Sequence, residues 1–69
     1  MQIRSYSKKE LALAYAPELS VASAVNRLAS WINLNAGLSH ALERTGYRRT
    51  QRAFTPRQVG LIFRFLGEP

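Results

Sequence analysis

Residues 52–59, RAFTPRQV, repeat a phrase that stands near the start of the chain, RSYSKKEL at residues 4–11. Both phrases run arginine, a small residue, an aromatic residue, serine or threonine, any residue, lysine or arginine, glutamate or glutamine, and leucine or valine. Serine or threonine followed three residues later by glutamate or glutamine is a capping box, in which each side chain binds the backbone N–H of the other residue. The sequence therefore predicts helix starts near residues 8 and 56.

Two further features support these starts. Tyr6 with Leu11, and Phe54 with Val59, stand on either side of the predicted caps, where a hydrophobic staple belongs. Pro56 occupies the first helical position, where its fixed φ suits the helix and its missing N–H would be unpaired in any case.

Hydrophobic periodicity and stop signals outline four helices, at about residues 8–15, 20–33, 36–44 and 56–66. The first helix should end before Pro17, because the residue preceding a proline disfavours the α conformation. Gly46 is placed to end the third helix in a left-handed conformation. The predicted inward positions are Val21, Val25, Leu28 and Ile32 in the second helix, Leu38, Ala41 and Leu42 in the third, and Val59, Ile62, Phe63 and Leu66 in the fourth.

The segment YRRTQRAF, residues 47–54, is either a loop or a short strand that pairs with QIRSY at residues 2–6. In the second case the repeated phrases would lie side by side as two matching junctions between strand and helix. The predicted fold is one domain spanning residues 1–69. It is a mostly α, helix-turn-helix-like bundle of about four helices, with a short β ribbon or wing as the open alternative.

Composition sets the limits of this domain. A chain of 69 residues is in a size range that buries only about 60% of its unfolded surface, so a homodimer is compatible with the sequence. No apolar run approaches the ~20 residues that span a bilayer, and the N-terminus has no apolar signal-peptide core. We therefore expect a cytoplasmic protein without a membrane partner.

The inventory of chemically reactive side chains is small. The chain has one histidine, four acidic residues, all glutamate, and no cysteine. His40 and Glu43, one turn apart, are typical of an exposed helix pair, and a metal site would need three or four clustered ligands. There is also no glycine-rich phosphate loop. We expect no enzyme activity and no metal or other cofactor, and the sequence identifies no small-molecule substrate.

Positive charge is the strongest functional feature. The formal net charge is +6, and six arginines without an acidic residue occupy the segment from Arg44 to Arg64. The guanidinium fork suits bidentate contacts with phosphate or guanine. Such a cluster is typical of a nucleic-acid-binding protein, in which neutralised phosphates release counterions. A solvated basic surface that keeps a small protein soluble is the alternative interpretation.

The first two predicted helices favour DNA. A short helix, a tight polar turn and a longer helix with a small, polar outer face form the pattern of a helix-turn-helix, whose second helix enters the major groove. An ordinary helical hairpin would give the same pattern. The DNA hypothesis makes residues 20–33 the recognition helix and residues 47–57 the segment that holds phosphates. Its contact residues are Ser23, Asn26, Arg27, Ser30, Tyr47, Arg48, Arg49, Arg52 and Arg57.

Two family resemblances extend this interpretation. YSKKELA, GYRR and RAFTPRQV resemble the DNA-binding domain of MerR-type regulators and excisionases, which implies a phosphate-gripping wing at Gly46, Tyr47, Arg48 and Arg49. The chain departs from that pattern in its longer first turn and in the helical WINLNAGLSHALE segment. Over almost the whole chain, SYSKKELALAYAP, ASWI, FTPRQV and LGEP are similar to the small Bacteroides-type proteins of domain-of-unknown-function family 4248. Because that family has no established activity, the resemblance does not indicate what the protein does.

A second functional hypothesis comes from the same residues. The basic face would dock an acidic protein, and an exposed Trp31 or Phe65 would supply an apolar anchor, since aromatic and arginine side chains dominate protein interfaces. RNA ranks below DNA as a partner, because the few aromatic residues are expected in the core and not on a base-stacking platform.

Overall fold

A computed structural model describes all 69 residues of the chain. Four helices and a two-stranded ribbon follow one another in the order β1 (Tyr6–Ser7), α1 (Lys8–Tyr15), α2 (Val21–Leu34), α3 (Ala36–Arg44), β2 (Ala53–Phe54) and α4 (Pro56–Leu66). The predicted mostly α bundle with a short β ribbon is confirmed, and the helix bounds agree with the predicted ones to within about one residue. None of these helices has the length and apolar character needed to cross a bilayer.

The ribbon explains why the chain repeats a phrase. β1 and β2 are antiparallel, with Tyr6 opposite Phe54 and Ser7 opposite Ala53. The Lys8 N–H extends the pairing by donating to the Arg52 carbonyl at 2.9 Å. Tyr6 and Phe54 are also the matching aromatic positions of the two phrases. The repeat therefore folds back on itself with approximate two-fold symmetry, and each half leads into a helix.

Both predicted capping boxes are present. The Glu10 N–H donates to Ser7 Oγ and the Ser7 N–H donates to Glu10 Oε1, each at 3.0 Å. The backbone and side chain of Ser7 thereby lower the pKa of the Glu10 carboxyl. Thr55 and Gln58 repeat the arrangement at the start of α4. Local sequence thus determines where α1 and α4 begin.

The end of α3 confirms the prediction for Gly46, whose φ is 82°. The Gly46 N–H donates to the Glu43 carbonyl at 3.0 Å, and the Tyr47 N–H donates to the Leu42 carbonyl at 3.2 Å. These two bonds form a Schellman motif. The turn brings the Tyr47 ring onto Phe54, with ring centroids 5.6 Å apart and planes inclined by 15°.

The core differs from the predicted stripe of α2 at one end. Leu28 and Ile32 are buried as predicted, but Val21 is 41% exposed and Ala24 is buried in its place. Val21 is the first residue of α2, where the chain has only just left the turn after α1. Ala24 is accommodated where α1 and α2 pack extensively on each other. Val25, Ala41 and Leu66 are half-buried and complete the predicted inward positions.

Gln58 is the one buried polar side chain, 2% exposed. Its Oε1 accepts hydrogen bonds from the Thr55 N–H at 3.1 Å and from Gln51 Nε2 at 2.7 Å. Its Nε2 donates to Thr45 Oγ1 at 2.9 Å. The Thr45 hydroxyl in turn donates to the Leu42 carbonyl at 2.6 Å. One amide therefore ties the start of α4 to the end of α3 and to the segment before β2.

We predict that Gln58→Ala lowers the free energy of unfolding by about 2–4 kcal/mol, because it creates a cavity and removes the hydrogen bonds that link Thr45, Gln51 and Thr55. Glu10→Ala removes the matching residue of the other capping box and is the control. Glu10 is exposed, so water replaces its hydrogen bonds and the loss is smaller. Urea denaturation of both variants measures the difference. Equal losses would contradict the role assigned to the buried amide.

Candidate nucleic-acid interface

An open groove runs between the start of α1, one face of α2 and the turn at residues 47–52. It consists of two adjoining cavities of about 650 Å³ and about 220 Å³. Lys8, Val25 and Arg49 line both cavities, which therefore lie next to each other. We call this feature the basic groove, and its lining residues are Ser7, Lys8, Lys9, Val25, Asn26, Ala29, Ile32, Asn33, Tyr47, Arg49, Thr50, Gln51 and Arg52.

The lining of the basic groove carries four positive charges, from Lys8, Lys9, Arg49 and Arg52, and no acidic residue. The side chains of Lys9, Arg49 and Arg52 take part in none of the hydrogen bonds or ion pairs within the chain. Unpaired cations that converge on a concave surface raise the local concentration of anions and speed their association. The groove is therefore suited to a polyanion.

Lys8 has a structural role in the groove. Its Nζ donates to the Arg49 carbonyl at 2.6 Å. It also lies over the Tyr47 ring, 5.2 Å from the centroid, and 6.0 Å from that of Phe54, at the outer limit of cation–π contact. Lys8 thus fixes the turn to α1. Lys8 is not among the predicted contact residues, although its place opposite Arg52 follows from extending the ribbon by one position.

The turn itself is closed by Gln51. The Gln51 N–H donates to the Arg48 carbonyl at 3.1 Å, and the Arg48 N–H donates to Gln51 Oε1 at 3.1 Å. Residues 46–52 contain no strand. The wing implied by the MerR-type resemblance is therefore absent as a β structure at Gly46–Arg49, where the chain ends α3 and turns. The strand pairing of this fold is made instead by β1 and β2.

The structure brings four of the nine predicted contact residues to the basic groove: Asn26, Tyr47, Arg49 and Arg52. Tyr47 is half-buried against Phe54 and forms a wall of the groove. The other five lie on the exposed surface outside the groove: Ser23, Arg27, Ser30, Arg48 and Arg57. Lys8, Lys9 and Asn33 are groove residues that the prediction lacked.

Arg27 shows why the groove residues of the second helix were only partly predicted. At about 100° per residue, it lies about 160° around the helix from Ala29, near the centre of the groove wall, and about 100° from Asn26 at the edge of that wall. There its Nη1 is 3.8 Å from Glu18 Oε1, in a pair that is largely exposed. Such a pair contributes little to stability. The rotation of α2 about its axis, which is set by packing, therefore turns its arginine away from the groove.

The predicted apolar anchors lie outside the groove. Trp31 is 36% exposed and Phe65 is 41% exposed. The Trp31 ring packs edge-on against Tyr15, with centroids 6.0 Å apart. The Tyr15 hydroxyl donates to the Gly67 carbonyl, and its burial, with Glu68 adding to the effect, raises the pKa of Tyr15 to about 12.

Phe65 accounts for the glycine near the start of α3. A Cβ atom at Gly37 would lie 2.9 Å from Phe65 Cε1, which is closer than such contacts allow. Gly37 weakens the helix intrinsically, but it lets α4 approach α3 at this point. Trp31 and Phe65 are therefore both partly packed against other residues of the chain.

We predict that Lys8→Met loosens the turn at residues 47–52. The methionine keeps the apolar stem but loses the hydrogen bond to the Arg49 carbonyl, at a cost of about 1 kcal/mol. Amide hydrogen exchange of the turn should accelerate, and Lys9→Met, at the adjacent exposed position, is the control with the same loss of charge. The role assigned to Lys8 is wrong if both variants exchange like the wild-type protein.

A family model described as a domain of unknown function (DUF4248) matches residues 2–69, so the chain belongs to that family. This confirms the resemblance that FTPRQV and LGEP carry. No curated protein and no solved structure matches the chain. The family assigns no activity, and these comparisons give no support to the MerR-type resemblance.

Proposed function

We propose that this member of the DUF4248 family binds duplex DNA through the basic groove. The observation that carries the proposal is the convergence of Lys9, Arg49 and Arg52, all without partners in the chain, beside an uncharged wall of α2. The net charge of +6 favours association with a polyanion as a whole. The proposal concerns binding; it assigns no regulatory outcome.

In this proposal, the basic residues of the groove bind the phosphates. Arg49 lies inside the turn at residues 47–52 and Arg52 lies at its end, and the turn is held by Lys8 and Gln51. A fixed turn presents guanidinium groups with little further loss of backbone freedom, and each guanidinium can bind one phosphate through two parallel hydrogen bonds. Lys9, in the first turn of α1, adds a third cation to the lining of the groove.

In this proposal, α2 contacts the bases. This helix spans 14 residues, about 21 Å at 1.5 Å per residue, and its exposed groove residues Asn26, Ala29 and Asn33 are small or carry amides. A major groove about 12 Å wide admits a helix of this kind. With the phosphate strand lying in the basic groove, the exposed flank of α2 would enter the major groove beside it.

A second candidate function uses exposed apolar residues outside the groove. Trp31, Leu34 and Phe65 are exposed apolar residues, and Leu34 is 81% exposed. An acidic protein held by the same cations could use them as anchors. Under this hypothesis, Trp31→Ala weakens binding to that partner. Under the DNA proposal, Trp31→Ala binds duplex DNA as tightly as the wild-type protein does.

We predict that Arg49→Ala with Arg52→Ala weakens binding to a random-sequence duplex and lowers the salt slope by about two, because each lost phosphate contact removes about one released counterion. Fluorescence anisotropy from about 50 to about 200 mM salt measures both quantities. The control is Arg44→Ala with Arg64→Ala, which removes the same charge outside the groove. Equal effects in the two double variants, or no binding of the wild-type protein at the lowest salt, would contradict the proposal.

A further inference from the structure

Three residues of α2 share one wall of the basic groove: Asn26, Ala29 and Asn33. They stand at positions i, i+3 and i+7, the spacing that puts residues on one face of a helix. All three are exposed. This wall faces the cavity that Arg49 also lines, so a nucleic acid strand held by the arginine would lie next to it.

The two amide groups on this wall are free. The side chains of Asn26 and Asn33 take part in none of the hydrogen bonds within the chain, whereas Asn35 uses its side chain to accept the Leu38 N–H at 3.0 Å and cap α3. Gln51 and Gln58 are likewise committed to the network beneath the turn. Asn26 and Asn33 therefore keep their full donor and acceptor capacity for a ligand.

We infer that α2 reads adenine, with Asn26 and Asn33 each recognising one adenine in the major groove and Ala29 contacting a thymine methyl group between them. The inference rests on the proposed DNA binding. A carboxamide matches adenine by donating to N7 and accepting from the N6 amino group, and alanine packs well on the C5-methyl group of thymine. Guanine is usually read by arginine or lysine, and the arginine of α2, Arg27, points away from this wall beside Glu18.

The spacing gives the site its length. Asn26 and Asn33 are seven residues apart, so they are about 10.5 Å apart along the helix axis. Successive base pairs are stacked about 3.4 Å apart. The two amides therefore reach adenines about three base-pair steps apart, with the base pair nearest Ala29 between them. The inferred ligand is an A·T-rich duplex with adenines at that spacing.

The test begins with selection of duplexes from a randomised library by the full chain, followed by anisotropy titration of the selected duplex. Replacing either adenine by guanine should weaken binding about fivefold to 100-fold. Replacing it by 7-deazaadenine, which pairs normally but lacks N7, should also weaken binding. Asn26→Ala should lose discrimination at one position only and Asn33→Ala at the other, while the control Ser23→Ala, outside the groove, keeps both.

The outcomes separate this inference from the proposal on which it rests. Salt-dependent binding without base preference, or a guanine preference that disappears in Arg49→Ala, would overturn adenine readout and leave DNA binding standing. Absence of binding to every duplex at about 50 mM salt would overturn both. Adenine preference at the stated spacing, relaxed one position at a time by the two asparagine variants, establishes the inference.

Discussion

The buried amide of Gln58 is the interaction on which the arrangement of this small fold depends. Its oxygen accepts hydrogen bonds from the Thr55 N–H at the start of α4 and from the side-chain amide of Gln51. Its NH₂ group donates to the Thr45 hydroxyl at the end of α3. These bonds hold the segment between α3 and β2, which has almost no regular structure of its own. A fixed segment is what allows Arg49 and Arg52 to face one groove. The basic surface is thus built outward from a neutral, buried group.

The repeated phrase shows why glutamine is needed at that position. Glu10 and Gln58 are matching residues of two capping boxes, but only Gln58 is buried. A carboxylate can accept the capping N–H at the surface, where water solvates its charge. In the core, an ionised group without a charged partner would be costly, and a carboxylate could not donate to Thr45. An amide both accepts and donates. The two copies therefore differ where their surroundings differ.

Local chemistry in the sequence determined most of the helix bounds. Capping boxes, Pro17, Pro56 and Gly46 act within a few residues, and α1 begins and ends, α3 ends and α4 begins where those signals put them. The ribbon stayed an open alternative because it joins strands almost fifty residues apart, and no local sequence signal predicts that two such distant segments pair.

The candidate site was harder to predict because packing determines which way α2 is turned. Helical spacing alone could not choose between Arg27 and Asn33 as groove residues, since both are polar and exposed. The role of Lys8 was hidden for a similar reason: its partners are the Arg49 carbonyl and the Tyr47 ring, which only the folded chain brings near. The arginine cluster was visible in the sequence, but its division between the groove and the outer surface was not.

The central claim is that the basic groove is the surface that meets DNA. The most direct measurement is an NMR titration of the labelled chain with a short duplex, following backbone amides and the side-chain amides of asparagine. We predict shifts that cluster on Lys9, Asn26, Asn33 and residues 49–52. Shifts confined to the surface around Trp31 and Phe65, or no shifts at low salt, would contradict the claim.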